Sequence, residues 1–399
     1  LKKVVLAYSG GLDTSVCIHW LREKKQMDVV TFSADLGQEF DANALKQKAL
    51  ASGATAVYIE NLQQEFLEQY VLPALRANAA YERKYLLATA LGRPLIAKKL
   101  VEVAEKEGAS FVAHGCSGKG NDQVRIELGI FSLNPELKVI APLREWELKS
   151  RQEEIAYAAK RNIPVAVSVE SPYSIDINVW GASIECGVLE DPWREPPEEI
   201  YRLTASPQSA PDKPTYMELD FRQGTPVGLN GRHCGILEIV RKLNETGGKN
   251  GVGREDLIEN RLIGIKSREI YESPAGTILH LAHRELEALT LNRETLHFKE
   301  LISTKYGELI YYGLWHSPLR DAFDAFIEKT QEMVNGTIRV KLHKGKCEVV
   351  GRRSEYSLYD ENLATYGVGD TFDHSWAEGF IKLWGLPLKI EAMRKKCLK

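Results

Sequence analysis

The chain has 399 residues, too many for one ordinary core, and at roughly 150 residues per domain two or three domains are expected. Hydrophobic residues make up 44% and charged residues 27%, the balance of a globular enzyme. The net charge is −3, which excludes a basic chain built to coat nucleic acid, and no apolar run approaches the roughly 20 residues of a membrane-crossing helix.

The opening residues Leu1–Lys3 lead directly into Val4–Tyr8 and a Gly-rich turn, so no secretory leader is expected; a first residue other than Met points to a trimmed start. Runs at Val4–Tyr8, Val29–Ser33, Ala56–Ile59, Phe111–His114 and Val139–Ala141 predict strands. Their nearly continuous apolar character suits a parallel sheet covered on both faces. Between them, residues 94–107 carry Ile96, Leu100, Val103 and Ala104 on one helical stripe. Such alternation predicts a doubly wound α/β domain, with ligands at the carboxyl ends of the strands. The loops after Tyr8, Ser33 and His114 then share one rim. Six prolines between 192 and 214 predict a long connection without regular structure. Beyond it, strands at Met217–Phe221, Arg261–Ser267, Ile338–Leu342 and Cys347–Val350 mix with helices at 232–243 and 316–334, predicting an α+β second domain. Asn335-Gly336 reads as a tight turn, and residues 376–399, with Phe380, Leu383, Trp384 and Ile390, read as an amphipathic tail.

Six cysteines, at 17, 116, 186, 234, 347 and 397, form no CxxC pair and are expected to be reduced thiols of a cytoplasmic protein. His280 and His283 lie beside strand-like Ile278-Leu279 and read as satisfied core or surface histidines. No residue set has metal-ligand spacing, and no nucleophilic triad is apparent.

Two stretches carry chemistry. Ala7-Tyr8-Ser9-Gly10-Gly11-Leu12-Asp13-Thr14-Ser15 follows a strand and opens a helix. Its glycines expose main-chain N–H groups, Ser9, Thr14 and Ser15 add hydroxyls, and the helix N-terminus adds partial positive charge. This is a cradle for phosphate or pyrophosphate, and without GxxxxGK[ST] it is not a Walker loop. His114-Gly115-Cys116-Ser117-Gly118-Lys119-Gly120-Asn121-Asp122-Gln123-Val124-Arg125 follows another strand. Asn121 and Arg125 share a helix face, Arg125 offers a guanidinium to a carboxylate, and Asp122 offers an acceptor to an amine. Two further runs are weaker. Ser174–Ser183 reads as an edge strand or loop, and Gly247–Arg254, with its four glycines, reads as a ligand-facing or merely flexible connection.

Ser9–Ser15, SGGLDTS, resembles the pyrophosphate loop of the N-type ATP pyrophosphatases. His114–Arg125, HGCSGKGNDQVR, is similar to the HGxTGKGNDQVR of argininosuccinate synthetases, and residues 81–98, 171–181 and 251–279 match that family too. The resemblance spans essentially the whole chain. It implies a nucleotide-binding domain at 1–168, an α+β synthetase domain at 169–365 and a C-terminal oligomerisation helix at 366–399 of a homotetramer. It implies that ATP, citrulline and aspartate give argininosuccinate, AMP and pyrophosphate through a citrullyl-adenylate, with Mg²⁺ and with no nucleic acid or membrane partner. Activation by adenylation needs no protein nucleophile. ATP contacts are implied at Ala7, Tyr8, Ser9, Gly10, Gly11, Leu12, Asp13, Thr14, Ser15, Ala34 and Gly115. Citrulline contacts are implied at Tyr85, Asn121, Arg125, Ser174, Ser183, Glu259 and Tyr271, and aspartate contacts at Ser117, Asn121 and Asp122. Asp13 and Asp122 are the carboxylates expected at the chemistry; Asp122 orients the attacking amine, whose proton goes to it or to a substrate phosphate. The chain departs from the family pattern at Ser117 (usually Thr), Ala90 (Ser in some members) and Ile177 (often Glu). A tRNA-modifying pyrophosphatase would need a basic surface and paired cysteines, and a nucleotide sensor without turnover would not need the second motif.

Overall fold

A computed structural model describes residues 2–39, 41–164 and 172–398. Five strands, β1 (Lys2–Ala7), β2 (Met27–Asp35), β3 (Ala56–Asn61), β4 (Phe111–Ala113) and β5 (Lys138–Ile140), form one parallel sheet in the order β3-β2-β1-β4-β5. The helices of this half include α1 (Leu12–Lys25), α2 (Ala42–Ala51), α3 (Ala88–Glu107), α4 (Asp122–Leu133) and α5 (Arg151–Lys160). Alternate residues of β1 feed separate cores. Val4 and Leu6 pack with Val16 and Leu21 of α1, while Val5 packs with Leu91 and Leu95 of α3. All three β1 residues have no exposed surface, which is why the strand reads as an unbroken apolar run. Each such side chain contributes about 1.5–3 kcal/mol by leaving water. From β1 the chain winds outward through β2 and β3, then returns to the other side through β4 and β5. The crevice outside the carboxyl ends of β1 and β4 is therefore the topological switch point.

Helix α3 begins at Ala88, six residues before the expected 94. The Tyr85 hydroxyl accepts the N–H groups of Thr89 (3.1 Å) and Ala90 (3.2 Å) and caps the new start, so Pro94 falls inside the helix.

The later strands are β6 (Ser174–Asn178), β7 (Gly181–Glu185), β8 (Thr215–Arg222), β9 (Thr225–Leu229), β10 (Arg232–His233), β11 (Arg254–Asn260), β12 (Lys266–Glu272), β13 (Gly336–His343) and β14 (Lys346–Arg353). They form two antiparallel sheets, β10-β9-β8-β13-β14 and β11-β12-β7-β6. Helices α6 (Ile236–Lys249), α7 (Pro274–Thr290), α8 (Arg293–Tyr311) and α9 (Pro318–Gln331) complete this α+β half. The run Arg261–Ser267, expected as a strand, is mainly the turn joining β11 to β12. Gly264, at φ +87°, and the bond from Arg261 N–H to the Ile265 carbonyl (2.9 Å) reverse the chain there. The Ile278-Leu279 pair is helical, not strand-like, because Pro274 starts α7 at its favoured first-turn position. The proline-rich connection holds only one short helical turn, Glu198–Ile200. Buried Glu272 anchors it by accepting the N–H groups of Arg202 (2.6 Å), Leu203 (3.1 Å) and Thr204 (2.9 Å).

Contacts divide the chain into a unit ending at Tyr356 and a second unit from Ser357 onward. The boundary expected at 168 falls in 165–171, outside the described residues. The second unit carries α10 (Ser375–Trp384) and α11 (Leu386–Cys397), with Trp376, Phe380, Leu383, Trp384 and Ile390 exposed. Among the described residues, no helix is long and apolar enough to cross a membrane, and all six cysteines are free.

Candidate active site

The first loop leaves β1 with Tyr8 N–H still bonded to the Phe32 carbonyl (2.8 Å). Gly10 turns at φ +79°, a conformation that glycine adopts without strain. Gly11 then caps α1 with extended backbone and no side-chain cap, so the first-turn amides of Leu12, Asp13 and Thr14 have no intrahelical acceptor and can receive an anion. Hydroxyls brace the cradle: Ser9 Oγ lies 3.1 Å from Thr14 Oγ1, and Ser15 donates to the Gly11 carbonyl (2.7 Å). Ala34 sits near the carboxyl end of β2. A Cβ on Gly115 would meet Thr14 Cγ2 at 2.8 Å, so the second motif rests directly on the first. Ala7–Ser15, Ala34 and Gly115 thus gather at the carboxyl end of one sheet.

Two residues not singled out from the sequence join them. Lys48 donates to the Gly10 carbonyl (2.5 Å), and burial lowers its pKa. Glu154 of α5 lies against Asp13; burial, then the hydrogen bond and charge of Asp13, push its carboxyl up to about 8.

The second cluster is a cleft, open to solvent, between the β6–β7–β12–β11 sheet and the starts of α3 and α4. Strand side chains alternate faces, so the two-residue spacing puts Ser174 and Asp176, Ser183 and Glu185, Glu269 and Tyr271, and Glu259 on one face. Register completes the row: Asp176 pairs with Ser183, and Ser183 with Tyr271. The facing wall supplies Tyr85, Thr89, Gly120, Asn121, Asp122 and Arg125. All seven residues expected at citrulline line this cleft, as do Asn121 and Asp122. Ser117 does not; it sits on the exposed part of its loop, where its carbonyl accepts Gly120 N–H (3.3 Å). Ala90 is buried beneath the wall, and Ile177 lies on the opposite face of β6.

Asp122 accepts from Arg93 Nη2 (2.8 Å) and Arg125 Nη1 (3.0 Å). Burial works to raise its pKa, but the two guanidinium groups outweigh burial and hold the carboxyl at about 2. Arg93 also pairs with Asp176. Arg125, 4% exposed, donates from Nε to the Tyr311 carbonyl (2.9 Å) and stacks its guanidinium 4.7 Å above the Tyr311 ring. Glu259, 1% exposed, accepts from Tyr271 Oη (2.5 Å) and from Tyr311. Burial first, then the charge of Glu269, pushes the Glu259 carboxyl up to about 7 despite these donors and Arg125. Glu269 accepts from Arg261 (2.8 Å), which also pairs with Glu185. Tyr85 stacks on Tyr271 with ring centroids 3.9 Å apart. The arrangement sets a buried guanidinium, Arg125, against two buried carboxyl groups, Glu259 and Glu269, on the opposing wall, a pattern able to receive a zwitterionic amino acid.

Sequence reading missed Thr89, Asp176, Glu185, Arg261 and Glu269 in the cleft, and Arg93 and Tyr311 behind it. Asp176, Glu185 and Glu269 did carry a signal, a two-residue offset from Ser174, Ser183 and Tyr271. The glycine run at 247–253 does not line the cleft. Gly247 and Gly248 belong to α6, and a Cβ on Gly253 would strike Pro274 Cα at 2.7 Å, so these glycines serve close packing. His280 and His283 are buried in α7, and the ring nitrogens of His283 meet Asn78 Oδ1 and Gln331 Oε1, each at 2.7 Å.

Comparison with known proteins agrees along the chain. Residues 3–164 match the arginosuccinate synthase N-terminal HUP domain, and residues 173–391 the arginosuccinate synthase C-terminal domain. The chain is 56% identical over 395 residues to an argininosuccinate synthase of Carboxydothermus hydrogenoformans, covering 99% of this chain and 98% of that one. It is 57% identical over 396 residues to that of Gloeobacter violaceus, with 99% of each chain covered. The corresponding protein of Chlorobium phaeobacteroides is 57% identical over 388 residues, with 97% of each covered. The chain belongs to the argininosuccinate synthase family, ligases that form a C–N bond between citrulline and aspartate at the expense of ATP.

Proposed function

We propose that the Gly-rich loop at the switch point holds the ATP phosphates and that the neighbouring cleft holds citrulline and aspartate side by side. The observation that carries this reading is the convergence of Tyr85, Asn121, Arg125, Ser174, Ser183, Glu259 and Tyr271 on one cleft. Arg125 meets the citrulline carboxylate at its Nη2 end, since Nε and Nη1 are engaged within the protein. Glu259 meets the α-ammonium. The ureido oxygen then attacks the α-phosphate and pyrophosphate departs. The main-chain donors of residues 10–14 stabilise the charge on the leaving group. The aspartate amine next attacks the activated carbon, and AMP leaves. A carboxylate held near 2 is a poor base at neutral pH, so Asp122 orients this amine by accepting its hydrogen bond, and the departing phosphate takes the proton.

Mg²⁺ accompanies the nucleotide. Among the described residues no group of three or more His, Cys, Asp or Glu forms a metal cage. Asp13, in the first turn of α1, is the carboxylate that would reach a Mg²⁺ carried in on the phosphates. Bound there, it would neutralise phosphate charge. The exposed apolar face of α10 and α11 mediates homotetramer assembly, and the free thiols fit a cytoplasmic location.

Incubation with ATP, citrulline and aspartate tests the reading. AMP, pyrophosphate and argininosuccinate in equal amounts are expected. ADP and phosphate, or nucleotide turnover without citrulline, would overturn it.

A further inference from the structure

We infer that Tyr311 is a positioning residue for both amino-acid substrates, its hydroxyl tying the Asn121 amide to the Glu259 carboxylate; this rests on the assignment of the cleft proposed above. Tyr311 is the last residue of α8, is fully buried and does not line the cleft, so it acts only through its neighbours.

The polarity of the chain of bonds is determined by one main-chain group. Leu262 N–H donates to Asn121 Oδ1 (3.0 Å), so the other end of that amide, Nδ2, faces Tyr311 Oη at 2.7 Å and must be the donor. The Tyr311 oxygen therefore accepts, and its single hydrogen goes to Glu259 Oε1. Tyr271 takes the other Glu259 oxygen at 2.5 Å. The Tyr311 ring stacks on Tyr81, centroids 3.5 Å apart and 8° from parallel, and lies under the Arg125 guanidinium. The Tyr311 carbonyl accepts from Arg125 Nε. One residue thus touches the cation that faces the citrulline carboxylate, the anion that faces its ammonium, and the amide shared with aspartate. Removing the hydroxyl leaves Asn121 Nδ2 without its acceptor and takes one donor from a buried carboxylate. The neutral form of Glu259 then gains at the expense of the form that pairs with an ammonium.

Tyr311→Phe keeps the ring, its stack and the main-chain bond, and removes only the hydroxyl. The KM values for citrulline and for aspartate should each rise at least about tenfold, the effect of losing a hydrogen bond to a charged group, with the KM for ATP within about twofold. The acid limb of kcat/KM for citrulline should move to higher pH. Amino-acid KM values within about twofold of the parent and an unmoved acid limb would overturn the inference. Should Tyr311→Phe not fold, 3-fluorotyrosine at 311 preserves shape and strengthens the donor, so the acid limb should move to lower pH; an unmoved limb overturns the inference. Glu259→Gln separates this idea from the cleft assignment. An unchanged citrulline KM in that variant removes the assignment itself. A raised one, beside an inert Tyr311→Phe, removes only the role of Tyr311.

Discussion

The candidate phosphate loop is nine consecutive residues, and its donors are main-chain N–H groups and short hydroxyls presented by one strand–helix junction. The cleft proposed for the amino acids draws on four strands and the starts of two helices, from residue 85 to residue 271, and its charged groups are side chains brought together from distant segments. An anion needs converging dipoles, which a local turn supplies. A zwitterion needs opposite charges at a set separation, which only packing between distant segments can hold in place. Mutations should therefore act differently in the two regions: few side chains matter at the loop, and many matter at the cleft.

Arg125→Ala should give the largest split. Loss of a buried charge-assisted hydrogen bond, about 1.5–3 kcal/mol, predicts a citrulline KM raised on the order of 10- to 100-fold, while the KM for ATP stays within about threefold. Equal losses for both ligands would erase the distinction between the regions.

Acid should divide them next. Glu259 is neutral below about 7 and cannot then pair with an ammonium, so kcat/KM for citrulline should fall as pH drops through that value, while nucleotide affinity measured by titration holds. The sign for stability is opposite. A carboxyl raised from 4.5 to about 7 favours the folded state while protonated, and that contribution is lost as pH rises through 7. A citrulline profile flat from pH 6 to 8 would remove Glu259 from recognition.

Gly10→Ala probes the loop. Forcing a Cβ into φ +79° costs about 1–2 kcal/mol, so ATP affinity should fall several-fold with citrulline binding to the free enzyme unchanged. Smallest in its effect on the chemistry is deletion of residues 376–399, which should lower the mass seen in sedimentation; an unaltered tetramer would reject the tail as its mediator.

The same contrast explains what could be read in advance. The loop's donors are local, so SGGLDTS after a buried strand was enough to mark it as a candidate phosphate cradle. The parallel sheet was legible because β1 and β2 are buried on both faces and read as nearly continuous apolar runs, broken between Val29 and Ala34 only by Thr31 and Ser33. The turn at 261–265 was misread because Leu262, Ile263 and Ile265 resemble a strand, and only Gly264 marks the reversal. Helix α3 started early because its cap is a side chain, Tyr85, rather than the Ser, Thr, Asp or Asn that a sequence search looks for. Tyr311 left no trace at all, since its partner Asn121 lies 190 positions away and an aromatic at a helix end most often signals packing.

The cap on α3 also restricts what Tyr85 can say to a ligand. Its phenolic oxygen already receives two main-chain N–H groups, so both lone pairs are spoken for, and burial pushes its pKa up to about 12, keeping the proton in place. What the hydroxyl has left is one O–H to donate and no lone pair to accept with. Tyr85 can donate to a carbonyl or carboxylate oxygen but has nothing to offer an ammonium, so on the proposed assignment of the cleft it favours a ureido oxygen over the terminal amine of a shorter basic amino acid.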